Sequence, residues 1–189
     1  LQTNYSAITI HLKQYEEDAR KRFDKGDYWW ELRACDYYDE FEKSKILLPD
    51  ISLKGNYTLD CNGGFYCGNT AYVIVSTEKY LLGLLNSKLM DFAYSSLSSS
   101  YRGGYLRFIY QYLAQLPIIG IENNKSISIQ IDKLVEQNLL LHKKQTSIKT
   151  PTERTAIERQ IQATDAQIDQ LVYQLYGLIE EEIKIVEQS

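Results

Sequence analysis

Histidine is nearly missing from this sequence, which has only His11 and His142 among its 189 residues. Enzymes that use a serine or cysteine nucleophile need a general base beside it, and that base is most often histidine. The three cysteines, Cys35, Cys61 and Cys67, have no other histidine to pair with, and His142 lies in a segment with the periodicity of a helical hairpin. We therefore expect no catalysis by a nucleophile–histidine pair.

The sequence also lacks metal-binding and phosphate-binding motifs. Cys61 and Cys67 flank a glycine turn, but a structural zinc site needs two further ligands at a recognisable spacing. Gly63-Gly64 and Gly103-Gly104 match neither the dinucleotide fingerprint nor the phosphate loop. No motif of a methyltransferase cofactor fold or of a nuclease core is visible. The odd number of cysteines, without a secretion signal, predicts free thiols in a reducing cytoplasm.

No apolar run has the length of a membrane span, because residues 45–53 and 118–121 fall well short of about 18–20 residues. A basic region followed by an apolar stretch, which marks a signal peptide, is also missing. Hydrophobic residues make up 44% of the chain and charged residues 24%, as in ordinary globular proteins. We expect a cytoplasmic globular protein, and its start at Leu1 indicates a processed product or a piece of a larger chain.

An excess of positive charge is missing as well. Lys and Arg number 21 against 25 Asp and Glu, which gives a net charge of -4. Residues 1–125 carry 14 basic and 15 acidic side chains, whereas residues 126–189 carry 7 and 10. Because stand-alone nucleic-acid-binding domains are typically basic, a partner domain would have to supply much of any attraction to phosphate.

Helical periodicity is present in two parts of the first two thirds of the chain. An apolar stripe over residues 4–25 predicts one amphipathic helix that Gly26 ends. Residues 77–94 predict a second helix, and a polar serine loop over residues 95–104 follows it.

Between these helices the pattern indicates a β-rich region. Short apolar and β-branched runs over residues 43–76 predict three to five strands. Asn62-Gly63-Gly64 is a typical turn sequence, so we expect a hairpin between residues 57–61 and 65–67.

The last third of the chain predicts two long antiparallel helices. Thr150-Pro151-Thr152-Glu153 is a capping box with proline at the first helical position, and the stripe that follows it ends near Gly177. A short acidic helix over residues 180–188 closes the chain. The preceding helix has a heptad seam with two polar positions, formed by Ile131, Leu134, Asn138, Leu141, Gln145 and Ile148.

These elements predict an α+β fold. We expect residues 1–123 to form a small mixed or antiparallel sheet with packed helices, and residues 124–189 to form a coiled-coil-like helical hairpin with a short cap helix.

One basic and aromatic stretch stands out against the acidic average. Between residues 79 and 112, four basic residues face only Asp91, a local excess of +3, and tyrosines are interleaved with them. Lys and Arg neutralise phosphates, and Arg and polar side chains read base edges. This stretch therefore favours a DNA contact, although an exposed loop on an ordinary surface explains the same residues. The basic residues are Lys79, Lys88, Arg102 and Arg107.

Several motifs follow one another in a characteristic order along nearly the whole chain. They are Arg22-Phe23 and Lys25-Gly26 at a helix end, Trp29-Trp30-Glu31-Leu32-Arg33, Lys45-Ile46-Leu47-Leu48-Pro49-Asp50-Ile51, Tyr80-Leu81-Leu82-Gly83-Leu84-Leu85-Asn86-Ser87-Lys88, Gly103-Gly104, Leu113-Ala114-Gln115-Leu116-Pro117, and Ile168-Asp169-Gln170-Leu171-Val172-Tyr173-Gln174-Leu175-Tyr176-Gly177-Leu178 leading into Glu181-Glu182-Ile183. In this order the sequence resembles the TaqI-like C-terminal specificity domain, the target recognition domain of type IIG restriction-modification enzymes and related adenine methyltransferases.

The resemblance implies a domain that clamps duplex DNA, selects the target sequence and performs no chemistry itself. It also implies a bacterial parent enzyme whose methyltransferase domain, and endonuclease domain where the parent also cleaves, lie upstream with the sites for S-adenosylmethionine and magnesium. No cofactor is expected in this chain. By the same resemblance, the helical hairpin is similar to spacers that dock such domains onto their neighbours.

The candidate DNA-binding residues come from the chemistry of their side chains, since base-reading positions vary within such a family. Arg102 and Arg107 suit guanine edges or phosphate, and Tyr101 and Tyr105 suit packing on sugar or phosphate. The three remaining candidates lie in turns of the β-rich region that we expect to enter a groove: Lys54, Asn56 and Asn62. No catalytic or metal-ligating residue is predicted.

Two alternatives stay open at this stage. The acidic hairpin and the tyrosine-rich surface are compatible with a protein–protein interaction module that self-associates through residues 157–175 and has no DNA contact. The chain is also compatible with part of a separate specificity subunit of a multi-chain enzyme.

Overall fold

The computed structural model describes residues 4–33, 36–100 and 102–188, and in these residues it shows an α+β protein with eight α-helices and five short strands. The predicted fold class is confirmed. The chain divides into two compact units, Leu1–Asp39 and Glu40–Ser189. The division into domains 1–123 and 124–189 stays a prediction.

The first unit contains two short helices, α1 (Ser6–Lys13) and α2 (Glu16–Lys21). The prediction of one helix over residues 4–25 is wrong, because a turn at Gln14 and Tyr15 separates the two helices and Tyr15 leaves helical geometry. Three acidic residues open α2, and negative charge stabilises the start of a helix. A long amphipathic helix also needs a core to cover, and Thr9 is the one buried residue among those described in this unit.

The five strands all lie in the second unit: β1 (Lys45–Pro49), β2 (Ile51–Ser52), β3 (Thr58–Asp60), β4 (Ala71–Ile74) and β5 (Leu106–Arg107). One antiparallel sheet has the order β3-β1-β4, with β1 in the centre. A separate two-stranded antiparallel ribbon joins β2 to β5. Four strands lie within residues 43–76, which agrees with the three to five predicted there, whereas β5 lies outside the predicted β-rich region. Both sheets are antiparallel.

A buried ion pair joins β1 and β3 at one end of their pairing, where Lys45 lies opposite Asp60. The Lys45 Nζ lies 2.6 Å from the Asp60 Oδ2, and both side chains are buried. The same carboxylate accepts hydrogen bonds from the backbone N–H groups of Asn62, Gly64 and Phe65. The hydrogen bond from Lys45, together with these N–H donors, holds the pKa of Asp60 well below its usual range.

The predicted hairpin around Asn62-Gly63-Gly64 is wrong. β3 pairs with β1, and residues 65–67 do not form a strand. The turn folds around the Asp60 carboxylate instead, so its N–H groups point at a charge and not at a second strand.

Two helices, α3 (Lys79–Leu85) and α4 (Lys88–Leu97), replace the single helix predicted over residues 77–94. Ser87 separates them and accepts a hydrogen bond from the N–H of Met90, which makes it the N-cap of α4. An N-cap serine thus starts a new helix in a segment whose apolar spacing alone predicts continuity.

The C-terminal helices agree with the prediction, except that α6 ends before Ile148, the last predicted seam residue. After the short helix α5 (Tyr110–Leu113), α6 (Lys125–Gln145) and α7 (Pro151–Tyr176) form the hairpin, and α8 (Glu180–Glu187) closes the chain. Thr150 is the N-cap of α7, as predicted, because its hydroxyl oxygen accepts a hydrogen bond from the Glu153 N–H. Its hydroxyl also donates to the Glu153 carboxylate. The two polar seam residues of α6, Asn138 and Gln145, hydrogen-bond to acidic side chains of α7.

One hydrophobic core joins the sheet to the hairpin. It contains Ile46 and Leu48 of β1 together with Ile131 of α6 and Val172 of α7. Gly83 allows the close approach of α3 and α6, because a Cβ there would lie only 2.7 Å from the Ile131 Cγ2. The hairpin is therefore packed into the second unit through its base.

A polar junction ties α4 to α7 and α8. The Asp169 carboxylate of α7 accepts a hydrogen bond from the N–H of Lys88, at 2.9 Å. The Lys88 side chain pairs with Glu187 of α8, which also accepts a hydrogen bond from the Tyr173 hydroxyl. Burial raises the pKa of Asp169 to about 6, although the N–H and the charge of Lys88 act in the opposite direction.

Replacing Asp169 by asparagine should stabilise the protein at pH 8 by about 1 kcal/mol, a figure reduced for solvent screening. The folded-state pKa of about 6 exceeds the unfolded value of about 4. The folded state therefore binds an extra proton between these values, and wild-type stability falls as pH rises from about 4 to 6. The asparagine amide keeps an acceptor for the Lys88 N–H without the buried charge. Urea unfolding at pH 4 and pH 8 tests this, because the gain should vanish at pH 4. Asp132→Asn is the control, and an equal effect of both variants at pH 8 would contradict the prediction.

Gly63→Ala should destabilise the protein by about 2–4 kcal/mol. Gly63 has a φ of 68°, and a Cβ there would lie 1.9 Å from the Glu42 carbonyl oxygen. Gly64→Ala is the matched control, since no atom lies within 4 Å of its added Cβ. Thermal unfolding of both variants measures the difference. Equal losses in the two variants would show that the turn does not pack against Glu42 in this way.

Candidate nucleic-acid interface

The β2–β5 ribbon and its adjoining loops bring most of the predicted DNA-binding residues to one surface, which we call the ribbon surface (residues 50–56 and 102–107). Ile51 pairs with Arg107, and Ser52 pairs with Leu106. Lys54 and Asn56 follow β2 directly, and Tyr105 directly precedes β5. The strand pairing therefore places residues from two distant parts of the sequence side by side.

Arg107 is oriented by contacts to its backbone and its side chain. Its Nε lies 3.2 Å from the Asp50 Oδ1, and 53% of the Arg107 side chain is exposed. The buried Tyr94 donates its hydroxyl hydrogen to the Arg107 carbonyl oxygen at 2.6 Å and accepts one from the Ile109 N–H. The Arg107 guanidinium thus lies at the surface beside Asp50, on a backbone segment that Tyr94 holds in place.

The loop at residues 53–57 is fixed from one side by two polar residues that follow α3. The Asn86 side chain accepts a hydrogen bond from the Tyr57 N–H and donates one to the Tyr57 carbonyl, at 3.1 and 3.0 Å. The Asp91 Oδ1 accepts one from the Gly55 N–H at 2.6 Å. Lys54 and Asn56, which flank the anchored Gly55, are exposed.

The Asp91 carboxylate interacts both with the backbone of the loop, at Gly55, and with the charge of Lys54. Burial raises the pKa of the Asp91 carboxyl, and the Gly55 N–H and the positive charge of Lys54 act against that rise. A Cβ on residue 55 would lie 2.8 Å from the Asp91 oxygen, so only glycine allows this approach. The Asp91 carboxylate orders the loop, and the Lys54 and Asn56 side chains remain exposed on it.

Two glycines shape the second edge of the ribbon surface. Gly103 and Gly104 have φ values of 75° and 81°, a region that other residues rarely adopt. They turn the chain after the serine loop, and a bridge between Ser100 and Leu106 closes the turn. Tyr105, 42% exposed, leads into β5. Tyr101 lies outside the described residues, as does the side chain of Arg102.

Asn62 does not belong to the ribbon surface. It follows β3, whose last residue pairs with Lys45 at the start of β1, whereas β2 follows the other end of β1. Its side chain is exposed. Of the predicted residues, the structure thus brings together Lys54, Asn56, Tyr105 and Arg107 and sets Asn62 apart.

The predicted local excess of positive charge is largely neutralised by acidic residues from elsewhere in the chain. Lys79 pairs with Glu136 at 3.2 Å, Lys88 pairs with Glu187, and Arg107 pairs with Asp50. None of these acids lies between residues 79 and 112, so counting charge in that window does not find them. Asp50, Asn86 and Asp91, which organise the ribbon surface, carried no sequence signal as site residues.

Other chemistry is not evident in the described ranges 4–33, 36–100 and 102–188. There, no group of three or more His, Cys, Asp or Glu side chains is arranged to hold a metal ion. Cys61 and Cys67 are free thiols. No helix among the described residues combines the length and hydrophobicity needed to span a membrane.

The chain matches a known protein family. The model of the TaqI-like C-terminal specificity domain matches residues 2–118. This range includes the sheet, the ribbon surface and the first unit, and it ends before the helical hairpin. No curated protein matches the chain.

Asn86→Ala should free the loop at residues 53–57 and lower the free energy of unfolding by about 1–2 kcal/mol. Hydrogen exchange of the Tyr57 amide should become faster, because this amide donates to Asn86. Asn69→Ala is the control, since Asn69 is exposed and makes no side-chain hydrogen bond within the described part of the chain. Unchanged exchange at Tyr57 in the Asn86 variant would contradict the proposed anchoring of the loop.

Proposed function

The chain belongs to the TaqI-like C-terminal specificity domain family, and on that premise we propose that it recognises a target sequence in duplex DNA. The observation that carries the proposal is the ribbon surface, where cationic and amide side chains project from an anchored β-ribbon. In this proposal the chain has no catalytic role of its own. The setting is a restriction-modification enzyme whose other domains methylate or cleave.

The shape of the ribbon surface suits the major groove of DNA. The groove is wide enough for a two-stranded β-ribbon, and its base edges differ for all four base pairs. Arg107 offers the donors that pair with guanine, and the Asn56 amide offers the donor and acceptor that pair with adenine. Lys54 is suited to a phosphate or a guanine edge. Anchoring by Asp50, Asn86 and Asp91 reduces the entropy that these side chains lose on binding.

The remaining predicted residues complete the proposal at the edges of this surface. Tyr105 is placed to pack against sugar or phosphate, and we assign the same role to Tyr101. Arg102, beside the glycine turn, is proposed to contact a base or a phosphate. Asn62, at the other end of β1, is assigned a peripheral contact at most.

The partners in this proposal are duplex DNA and the methyltransferase domain of the parent chain, with an endonuclease domain where the parent also cleaves. S-adenosylmethionine and magnesium would then be held by those upstream domains. The positions of the two histidines fit a chain that leaves catalysis to other domains. His11 of α1 contacts Gln14, and His142 lies in the last turn of α6. Neither histidine is adjacent in sequence to Cys61 or Cys67, and neither shares a secondary-structure element with them.

The alternative, self-association through residues 157–175, is disfavoured by burial. Ile157, Ile161, Ile168 and Val172 are each 8% exposed or less, so the seam is already covered within the chain. A protein partner would have to use another face of the hairpin. A separate specificity subunit stays open as a setting, since its DNA-recognising role would be the same.

Selection from a randomised duplex pool at low salt tests the proposal directly. Both the 189-residue chain and its fusion to an adenine methyltransferase domain are used, because the acidic chain is expected to need its partner for tight binding. An enriched motif of several base pairs supports sequence recognition. The absence of any enriched motif with either protein would overturn it.

Arg107→Ala should weaken binding to the selected duplex by roughly 1–3 kcal/mol and relax the preference at one base position. Lys54→Ala should weaken binding with a smaller change in preference and lower the salt dependence by about one phosphate contact. Arg102→Ala is expected to resemble one of these two variants. The control is Lys184→Ala, an exposed lysine on α8. Fluorescence anisotropy across a salt series measures the effects, and binding equal to the control in all three variants would remove these assignments.

A further inference from the structure

The end of the α6–α7 hairpin carries a surplus of positive charge that the ribbon surface does not account for. Residues 142–159, called the hairpin tip here, hold five Lys or Arg residues against two Glu. The rest of the C-terminal region, residues 126–141 and 160–189, holds two basic and eight acidic residues. Charge is therefore separated along the hairpin, with the positive part at its free end.

The acidic residues of the hairpin tip serve the fold, and most of its cations do not. Glu153 bonds Thr150 in the capping box, and Glu158 accepts hydrogen bonds from Gln145 and Arg154. In the described part of the chain, Arg154 is the one tip cation with an ion-pair partner. The four others are exposed: Lys143, Lys144, Lys149 and Arg159.

Helix stability explains only part of this pattern. Lys143 and Lys144 lie in the last turn of α6, where positive charge is favourable. Lys149 precedes the start of α7, where positive charge is unfavourable, and Arg159 lies in its interior. The helix dipole therefore does not explain the positive charges of Lys149 and Arg159.

The hairpin tip lies away from the core of the second unit. In the core that the hairpin shares with the sheet, the last buried residue of α6 is Val135 and the first of α7 is Ile168. From Ile168 back to Pro151, α7 extends roughly 25 Å at 1.5 Å per residue. The family match ends at residue 118, so this extension lies outside the matched range.

We propose that the hairpin tip is a second DNA-binding surface, which contacts the phosphate backbone without reading sequence. The inference rests on the proposed function, because the ligand is the same duplex DNA. Unpaired lysines on long flexible side chains suit phosphate, whose contacts position a protein on the duplex. Lysine is depleted in protein–protein interfaces, which makes an acidic protein surface the less suitable occupant.

The test compares two variants of the 189-residue chain fused to an adenine methyltransferase domain. The tip variant combines Lys143→Gln, Lys144→Gln, Lys149→Gln and Arg159→Gln. The control variant replaces four other exposed basic residues: Lys13→Gln, Lys125→Gln, Lys133→Gln and Lys184→Gln. Both lose the same net charge, and glutamine keeps the helix propensity of lysine. Every replaced side chain is exposed, so thermal unfolding should stay close to the wild type for the control variant and fall slightly for the tip variant, which loses two favourable charges in the last turn of α6.

Binding to a duplex with the selected site and long flanks is measured over a salt series. The tip variant should bind roughly 10-fold or more weakly at low salt, and its log–log salt slope should be smaller by about 2–4, at about 0.9 per phosphate. The enriched motif should not change. The control variant should keep a slope close to that of the wild type.

Three other outcomes decide against the inference. Equal slopes for the tip and control variants would overturn it and leave the ribbon surface as the DNA contact. Equal slopes with loss of binding to a separate acidic protein would assign the tip to a protein partner. No DNA binding by the wild-type fusion at low salt would overturn both this inference and the proposed function.

Discussion

The break between α3 and α4 is the constraint on which the second unit depends. Asn86 holds the Tyr57 backbone through two hydrogen bonds, and Ser87 caps α4. The next residue, Lys88, binds Asp169 of α7 through its N–H and Glu187 of α8 through its side chain. One turn further, Asp91 holds Gly55. A single short segment thus anchors the loop beside β2 on one side and the C-terminal helices on the other.

This arrangement has a consequence for the proposed DNA contacts. The ribbon surface and the base of the hairpin are both attached to the same core, and Gly83 brings α3 against Ile131 of α6 without a side chain between them. If both the ribbon surface and the hairpin tip bind one duplex, their spacing is set by helix length and packing, not by a flexible linker. A protein of this kind loses little conformational entropy on binding, but it requires DNA of matching shape.

Local signals in the sequence predicted the parts of the fold that depend on local chemistry. The capping box at Thr150 and the seam from Ile131 to Gln145 predicted the hairpin correctly, because caps and stripes act within one helix. The helix over residues 77–94 was wrong, since an N-cap at Ser87 outweighed continuous apolar spacing. The hairpin at Asn62 was also wrong, since the turn residues were used to surround the Asp60 carboxylate, a contact that depends on Lys45 fifteen residues earlier. Side-chain chemistry suggested Arg107 and Lys54 as site residues, but not the residues that anchor them. Asp50 reaches Arg107 through the pairing of β2 with β5, and Asn86 and Asp91 reach the loop of Lys54 through tertiary contacts.

The acidic net charge, which taken alone argues against DNA binding, has a different meaning once each charge is placed. Acidic residues lie in the first turns of helices, as Glu153 does in α7, or pair with cations that the fold itself needs, as Asp60 does with Lys45. Such charges make little contribution to the field at a distant surface, because a close partner cancels them and salt screens the remainder. The unpaired cations of the hairpin tip have no such cancellation, so they dominate the local potential despite a total of -4. Attraction to phosphate depends on where the unpaired charges lie, and in this chain the net charge is therefore a poor guide to the ligand.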